Sequence, residues 1–501
     1  MISAAEEQAL LSRAPAFDDS FVSLMAGPTL AKGMIDETKQ VVAYTRKFCD
    51  QVVRPLALEL DRKTHEDHDF LAWDFVKKAS DWGFYTMWLP RLFGGRGTNM
   101  GSLAYCMEEI ASVCVGLANV IGVHYLGVGT LSATWNAKLM RTVLRDVVDG
   151  EKKGEPRMIT LAVTEPSAGT DVEEVELIDK GNITCQAKRV DGGYVINGTK
   201  VFISNGHLSR WHMLIAYEDL KRPSETMVMM AVKTGMKGFS FGRHEDKMGQ
   251  RACPASELVF SDCFVPDELV ATDRSALKFL SRDIKRTSMQ MIDYVVSTSR
   301  AGVGAFAAGA ARGAMEKALE FAGKTVVNGK LLVNNEWAQC MLAEMYRNWS
   351  LCRMSYVETN YANTLCGAFR GMHVPVGFHM ARSTPAALYD TVMDRFLKTD
   401  AATRLLRNFA LEKQEDCEIH RTSGLASLCK FSATDLAVEN CHLALTLMGG
   451  AGLRQDAGAE KFLRDAKLLQ IYEGTNQLNR LNLFKCLMAR QCADACVFEE
   501  N

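Results

Sequence analysis

Two changes of pattern, near residue 159 and near residue 272, constrain the fold of this 501-residue chain more than any other feature. Between them lie short runs of β-branched and aromatic residues bounded by turns, such as Trp211 to Tyr217 and Met227 to Val232. On either side, apolar residues recur at helical spacing, as they do from Val303 to Phe321. The pattern predicts an α+β protein of three domains. They are an N-terminal helical domain at 1–158, a central antiparallel β domain at 159–272 and a C-terminal helical domain at 273–501.

The dipeptide Asn197-Gly198 separates two of these runs, Tyr194-Val195-Ile196 and Val201-Phe202-Ile203. Asn-Gly is typical of the two-residue turn of a β-hairpin, because both central residues of that turn need positive φ. The sequence therefore predicts a hairpin turn at this dipeptide.

Charge and cysteine content argue against several classes of function. The 58 Lys and Arg residues nearly balance the 60 Asp and Glu residues, which gives no indication of a nucleic-acid surface. The 15 cysteines are scattered, with no CxxC pair and no histidine spacing typical of zinc, so no metal site is expected. We find no secretory signal and no uninterrupted apolar run long enough to cross a bilayer. Free thiols, a cytoplasmic location and no membrane span are therefore expected.

A single carboxylate, Glu473, lies in the stretch Gln470 to Gln477 between two amphipathic segments. Gly474 can adopt backbone angles denied to other residues, and Thr475 is a suitable N-cap for the next helix. Glu473 is therefore predicted to lie on a turn between two helices. From these residues alone, a solvated surface carboxylate and a functional one both stay open.

Two further stretches resemble ligand-binding loops. Leu161 to Val172 runs from a strand edge into small and hydroxyl residues, whose amides and hydroxyls can bind a phosphate or a carbonyl edge. Gly302 to Gly309 has a glycine pattern like that of a dinucleotide site, but helical spacing is established before its first glycine. Close packing between helices explains these glycines better than a nicotinamide site.

Six motifs occur in an order that resembles one enzyme family. They are Ala162 to Asp171, Ile196 to Gly206, Met248 to Arg251, Met448 to Gly452, Arg464 to Lys467 and Ile471 to Gln477. In this order they resemble the acyl-CoA dehydrogenase family over most of residues 40–490. The resemblance implies a C-terminal four-helix bundle, one FAD per subunit and a homodimer or homotetramer. It also implies oxidation of an acyl-CoA thioester to the trans-2-enoyl-CoA, with electrons passed to an electron-transferring flavoprotein.

The resemblance assigns roles to individual residues. Glu473 matches the base that removes the α-proton while the β-carbon gives a hydride to the flavin, and its backbone amide matches a group that polarises the thioester oxygen. Some relatives carry the base one residue before an arginine, and that position here is Ser299, before Arg300. The residues that match cofactor contacts are Leu161, Val163, Thr164, Thr170, Phe202, Ser204, Lys324, Thr325, Gly449, Gly450, Thr475 and Gln477. Those that match the substrate side are Ser297, Arg300 and Gly474.

Several positions depart from the family pattern. Gly323 to Lys330 lacks an arginine and an aromatic that commonly reach the FAD of a neighbouring subunit, and Lys324 is the candidate replacement for the charge. Thr446 replaces a common glutamine, and Ser297 replaces a common aspartate. Ser112 stands where the glutaryl-specific branch has an arginine. This disfavours a dicarboxylic acyl-CoA, unless Arg91, Arg96 or a residue of an insertion supplies the charge. The chain length of the acyl group is not indicated.

Two insertions set this chain apart from the family pattern. The longer, at about 364–421, separates C-terminal helices that relatives join by a short connector. Its function is open between an oligomer contact, a surface elaboration and a substrate pocket shaped by Phe369, Met372, Val374, Phe378 and Met380. The shorter, Glu173 to Thr184, is expected to extend the β domain.

Three alternatives to a dehydrogenase stay open. Two are enzymes of the same fold: an acyl-CoA oxidase that reduces oxygen, and an enoyl-CoA reductase that runs the reaction in reverse. The third is a non-catalytic relative that keeps the fold for binding or assembly and has lost FAD.

Overall fold

The computed structural model describes residues 2–13, 31–276, 284–367, 375–384, 388–412, 414–489, 492 and 494–498. Helices form both ends of the chain and a β sheet lies between them. The predicted α+β class and the three-domain arrangement are confirmed.

The N-terminal domain is a helical bundle around an apolar core. Its helices are α1 (Ala4–Leu11), α2 (Lys32–Phe48), α3 (Arg54–Glu66), α4 (Trp73–Asp81), α5 (Ser102–Ala111), α6 (Val115–Ala133) and α7 (Ala137–Lys152). Helix α6 is long and apolar enough to cross a membrane, but most of it is buried inside the protein. An apolar helix that is covered on all sides is typical of a domain core.

The central domain is built on one twisted sheet. Its strands are β1 (Met158–Ala162), β2 (Gln186–Val190), β3 (Gly193–Ser204), β4 (Ser209–Tyr217), β5 (Met227–Lys233), β6 (Phe239–His244), β7 (Ala255–Pro266) and β8 (Val270–Thr272). The strand order is β6-β7-β3-β2-β4-β5-β8, and β1 pairs with β4. Most neighbours are antiparallel, as predicted, but β1 and β2 each pair with β4 in parallel, so the sheet is mixed.

The predicted hairpin turn at Asn197-Gly198 is wrong. Both residues lie inside β3, where pairing with β7 changes register between Ile196 and Gly198. A Cβ atom at Gly198 would lie 2.6 Å from Cα of Cys185, so the glycine serves a close approach of two backbones. The turn that joins β2 to β3 lies instead at residues 191–192, where Gly192 has a φ of +74°.

Long helices dominate the C-terminal domain. The long ones are α9 (Ile284–Lys324), α10 (Glu336–Cys366) and α14 (Asp416–Met448), and the shorter α15 (Ala459–Leu469) and α16 (Asn476–Leu483) follow them. The label α8 belongs to a short helix of the central domain, Val175–Ile178. Glycines of α9 face close neighbours: a Cβ atom at Gly304 would lie 2.3 Å from Sγ of Cys429, and one at Gly309 would lie 2.5 Å from Cβ of Ala111. Close helix packing therefore accounts for Gly304 and Gly309, whereas Gly302 has open space beside it and lines the cavity described below.

The longer insertion forms helices α11 (Pro375–Ser383), α12 (Asp394–Leu397) and α13 (Asp400–Arg407), which pack on the N-terminal domain. Arg382 forms an ion pair of 2.6 Å with Glu37. The buried guanidinium of Arg407 donates to the carbonyl oxygens of Thr134 and Ala271, at 2.8 and 2.9 Å. In this chain the described part of the insertion therefore ties the C-terminal domain to the other two.

Buried charges fix α5 against the C-terminal helices. Glu109 accepts hydrogen bonds from Arg46 and Arg312, both at 2.9 Å, and Glu108 accepts from Trp349 Nε1 at 3.0 Å. Burial alone would raise the pKa of Glu109, but the guanidinium groups of Arg312 and Arg46 lower it to about 2. This network matters for function because α5 forms one wall of the cavity described next.

Candidate active site

A cavity of about 410 Å³ lies where the three domains meet. Its volume is within the range of small-molecule and cofactor sites. It brings together nine of the residues predicted from sequence, which are Leu161, Val163, Thr164, Thr170, Phe202, Ser204, Glu473, Gly474 and Thr475. Most of the remaining lining is apolar, so a charged group inside it is poorly solvated.

Glu473 lies on the predicted turn between two helices, α15 and α16. Its φ is +56° and that of Gly474 is +76°, so both residues adopt the left-handed conformation. Thr475 is the N-cap of α16, and its hydroxyl accepts from the Leu478 amide at 3.3 Å. A non-glycine residue at positive φ is strained, and such strain persists where the surroundings fix it.

Neighbouring side chains fix this turn through its backbone. Nε of the fully buried Arg300 donates to the Glu473 carbonyl at 3.2 Å. Nζ of Lys430 donates to the Gly474 carbonyl at 2.6 Å, and Oε1 of Glu173 accepts from the Gly474 amide at 2.9 Å. Three charged side chains from three different segments therefore hold the backbone of this turn in place.

The Glu473 carboxylate lies inside the cavity and accepts one hydrogen bond of 2.5 Å from the Ser299 hydroxyl to Oε2. Burial raises the pKa of Glu473 above its ordinary value, while the Ser299 hydrogen bond and the charges of Arg300 and Lys430 act in the opposite direction. A carboxylate with a raised pKa is a stronger base than an ordinary glutamate.

A buried ion pair supports the opposite wall, at the end of β1. Nζ of Lys200 lies 2.8 Å from Oε1 of Glu165, and both side chains are fully buried. The same Nζ donates to the Val163 carbonyl at 2.8 Å, while Oε2 of Glu165 accepts from the amides of Thr184 and Cys185 at 2.6 and 3.0 Å. Lys200 thus holds the loop from Val163 to Thr170 through its contacts with Val163 and Glu165. This role of Lys200 is not predicted from the sequence.

Phe202 and Ser204 extend this wall from β3. Phe202 has a φ of +57° and lies where pairing with β7 is interrupted, between Lys200 and Ile203. Its ring stays 59% exposed beside the cavity. The hydroxyls of Thr164, Thr170 and Ser204 make no hydrogen bond within the described part of the chain, so they are free to bind a ligand.

Part of the cavity lining is apolar and includes Met107, Val123 and Phe306. Gly122 packs against the Phe306 ring, and a Cβ atom there would be 2.6 Å from Cζ. This part of the lining can therefore contact an apolar group of a ligand.

Two of the sequence motifs, Met248 to Arg251 and Arg464 to Lys467, contact each other next to the cavity. The Gln250 amide donates to Oδ1 of Asp465 at 2.5 Å, and Nε2 of Gln250 donates to the Asp465 carbonyl at 2.9 Å. Oε1 of Gln250 accepts from Asn119 at 3.0 Å and from the Tyr472 hydroxyl at 3.3 Å. These motifs join the three domains next to the residue that precedes Glu473.

Other predicted site residues lie outside the cavity. Ser297 lines a smaller neighbouring cavity of about 50 Å³, and Arg300 lies behind the Glu473 turn. Five more residues predicted to contact the cofactor do not line the cavity of the described chain. Lys324, Thr325, Gly449 and Gly450 are predicted to approach the FAD of a neighbouring subunit, and Gln477 is predicted to bind it beside Glu473. Lys324 is exposed and forms an ion pair of 2.6 Å with Glu320. Their contacts with a cofactor stay predictions.

The residues proposed for a pocket in the longer insertion do not reach the cavity where they are described. Phe378 is buried against the N-terminal domain near Gly33, and Met380 is 65% exposed. Phe369, Met372 and Val374 lie outside the described residues.

Glu173 lines the cavity, although no sequence motif identifies it as a site residue. The segment Glu173 to Thr184, which is predicted to extend the β domain, lies between β1 and β2 and contains helix rather than strand. It forms part of a 3-10 turn at Thr170–Glu173 and the short helix α8. Its first residue lines the cavity beside Glu473.

Each of the three domains matches the model of a known protein-family domain. Models of the acyl-CoA dehydrogenase N-terminal, middle and C-terminal domains match residues 35–151, 160–263, and 289–362 with 384–488. The chain is 28% identical to the cyclohex-1-ene-1-carbonyl-CoA dehydrogenase of Geobacter metallireducens, over 91% of this chain and 99% of that protein. It is 26% identical to the acryloyl-CoA reductase (NADH) of Anaerotignum propionicum, over 91% of this chain and 95% of that protein.

A solved structure shares the fold. It is a glutaryl-CoA dehydrogenase from Mycobacterium smegmatis in complex with FADH2, with a TM-score of 0.66 and 18% identity. The similarity covers 90% of this chain and 94% of that chain.

Proposed function

The chain belongs to the acyl-CoA dehydrogenase family of oxidoreductases, and we propose that it catalyses the FAD-dependent α,β-dehydrogenation of an acyl-CoA thioester to the trans-2-enoyl-CoA. One observation carries the proposal: the Glu473 carboxylate lies in a largely apolar cavity whose opposite wall presents free hydroxyls. A poorly solvated base and a hydrogen-bonding wall are what removal of an α-proton beside a bound cofactor requires.

In this proposal Glu473 removes the α-proton of the thioester. The Ser299 hydrogen bond orients the carboxylate, and the contacts of Arg300 and Lys430 keep its turn rigid. The Glu473 backbone amide has no hydrogen-bond partner among the described residues, so it is available to the thioester oxygen. A preorganised donor there would stabilise the charge that develops on that oxygen as the proton leaves.

The wall formed by β1 and β3 fits FAD. Thr164, Thr170 and Ser204 offer free hydroxyls, Leu161 and Val163 offer apolar surface, and Phe202 offers an aromatic face. When bound, FAD would supply the acceptor for the hydride of the β-carbon. The FADH2 complex of the glutaryl-CoA dehydrogenase with the same fold supports this assignment.

The apolar part of the lining, at Met107, Val123 and Phe306, would receive the acyl group. The cyclohexene-carbonyl thioester named for one relative is an example of a compact ring that such a site would suit.

A second candidate is reduction of an enoyl-CoA, because one relative is named an acryloyl-CoA reductase. The same geometry serves the reverse reaction, in which Glu473 returns a proton to the α-carbon. The electron-transferring flavoprotein as acceptor, a homodimer or homotetramer, and a cytoplasmic location stay predictions.

The experiment begins with the absorbance spectrum of the purified protein, which should show bound flavin. Acyl-CoA esters of different size are then added anaerobically, and compact acyl groups should bleach the flavin band. Reoxidation by air and by an electron-transferring flavoprotein is compared by stopped flow, and fast reoxidation by air would indicate an oxidase. Protein without flavin, or flavin that no acyl-CoA bleaches, would contradict the proposal, and turnover of enoyl-CoA with NADH would favour the reductase.

A further inference from the structure

Two carboxylates, Glu173 and Glu473, occur among the residues that line the cavity. Oε1 of Glu173 accepts from the Gly474 amide at 2.9 Å, and Oε2 lies 3.4 Å from the Arg300 guanidinium. The Glu173 side chain is 19% exposed and that of Arg300 is fully buried. Glu173 is therefore bonded to the residue that follows the proposed base, and both lie in the same poorly solvated space.

The charges around Glu173 come from three elements. Arg300 lies on α9, Lys430 lies on α14, and Glu473 lies on the turn before α16. Burial raises the pKa of Glu173 to about 7, with Arg300 and Lys430 opposing the rise and the charge of Glu473 adding to it. Glu174, the next residue, points elsewhere and forms an ion pair of 2.6 Å with Lys485.

We propose that Glu173 is a positioning residue for the proposed dehydrogenation: it fixes the Gly474 amide, and its own ionisation makes Glu473 a stronger base. The inference rests on the proposed function. Two carboxylates in one site resist simultaneous ionisation, so each affects the proton affinity of the other. When Glu173 is neutral, Glu473 holds its negative charge easily and attracts a proton weakly. When Glu173 is ionised, Glu473 takes a proton from the substrate more readily.

Such a pair should titrate in two steps that belong to the pair. The lower step leaves one of the two carboxyls ionised. The upper step, near pH 7, leaves both ionised, so it requires the carboxyl of Glu173. The rate of flavin bleaching should therefore rise twice as the pH increases.

The test uses the FAD-loaded protein and an acyl-CoA that bleaches the wild type. Bleaching rates are measured by stopped flow from about pH 5 to about pH 9, a range that is centred on the expected upper step and lies above the ionisation of ordinary exposed carboxyls. For Glu173→Gln we expect bound FAD, a rate close to that of the wild type below pH 7, and loss of the upper step. Above pH 7 the variant should be slower by up to about tenfold, the effect of one pKa unit.

Two controls separate charge from structure. Glu173→Asp keeps a carboxylate and should keep an upper step even if its overall rate falls. Asp293→Asn removes another buried carboxyl whose pKa burial raises to about 7, and it should keep the upper step, because the Asp293 carboxylate bonds to Ser423 and not to the Glu473 turn.

An infrared titration of the substrate-free protein provides a readout independent of turnover. The protonated-carboxyl absorbance that disappears near pH 7 in the wild type should come from Glu173 and Asp293 together, so part of it should be missing in Glu173→Gln and a different part in Asp293→Asn. A single kinetic step in the wild type, an upper step retained in Glu173→Gln, or an equal loss of rate at every pH would overturn the proposal. If Glu173→Gln does not fold, the presence or absence of the upper kinetic step in the wild type and in Glu173→Asp tests the proposal instead. If no acyl-CoA bleaches the wild type, the dehydrogenase assignment fails, and the infrared band alone decides the role of Glu173.

Discussion

The Ser299 hydroxyl donates a hydrogen bond of 2.5 Å to Oε2 of Glu473, across 174 residues of sequence. Ser299 occupies the position where some relatives are expected to carry the base, and here its hydroxyl bonds to the proposed base, Glu473. A hydrogen bond to the charged form of a carboxylate favours ionisation. Ser299 thus lowers the pKa of Glu473 relative to burial alone.

Replacement of Ser299 by alanine should shift the acidic limb of the bleaching profile to higher pH. Loss of the hydrogen bond raises the pKa of Glu473, so the ionised base becomes scarcer at low pH and stays abundant at high pH. Stopped-flow bleaching across the pH range measures this shift. Thr298→Ala is the control, since its hydroxyl donates to the Tyr294 carbonyl within α9. An acidic limb that stays in place in Ser299→Ala would contradict the role given to this contact.

Replacement of Lys200 by methionine should destabilise the wall formed by β1 and β3, where we propose that FAD binds. The variant leaves Glu165 buried without its cation, and breaking a buried ion pair in this way costs about 3–5 kcal/mol. Thermal unfolding should therefore occur at lower temperature, and the flavin content of the purified protein should fall. Lys188→Met, at an exposed position of β2, should change neither quantity. Full flavin content in Lys200→Met would show that the loop does not need the ion pair.

Replacement of Phe306 by alanine should enlarge the cavity beside Met107 and Val123, where we propose that the acyl group binds. Rates of bleaching by longer acyl-CoA esters should rise relative to those by short ones. A few methylene groups in an apolar pocket change such a ratio by about tenfold or more. Leu319→Ala, at an exposed position on the same helix, is the control. An unchanged preference would mean that the acyl group lies elsewhere.

Local sequence predicted the Glu473 turn well because its determinants are local. Gly474 permits the left-handed angles and Thr475 caps α16, and both follow from residue type alone. The loop of Leu161 to Thr170 and the pair Phe202 and Ser204 were likewise identified from motifs and meet in one cavity.

Local sequence failed where distant contacts decide the structure. Asn197-Gly198 has the composition of a hairpin turn, but the backbone of Cys185 packs against Gly198 and keeps β3 continuous. Lys200 has the appearance of a solvated strand residue, yet Glu165 stabilises it in full burial. Glu173 has no motif around it, and its relation to Glu473 arises only when the 3-10 turn meets the C-terminal domain.

The most direct test of the account compares Glu473→Gln with the wild type in anaerobic reduction by an acyl-CoA. Glutamine preserves the size of the side chain and cannot take the α-proton, so the variant should retain FAD and show almost no bleaching. Glu176→Gln, a substitution of the same kind outside the cavity, should bleach like the wild type. Bleaching of Glu473→Gln at the wild-type rate would show that another group is the base.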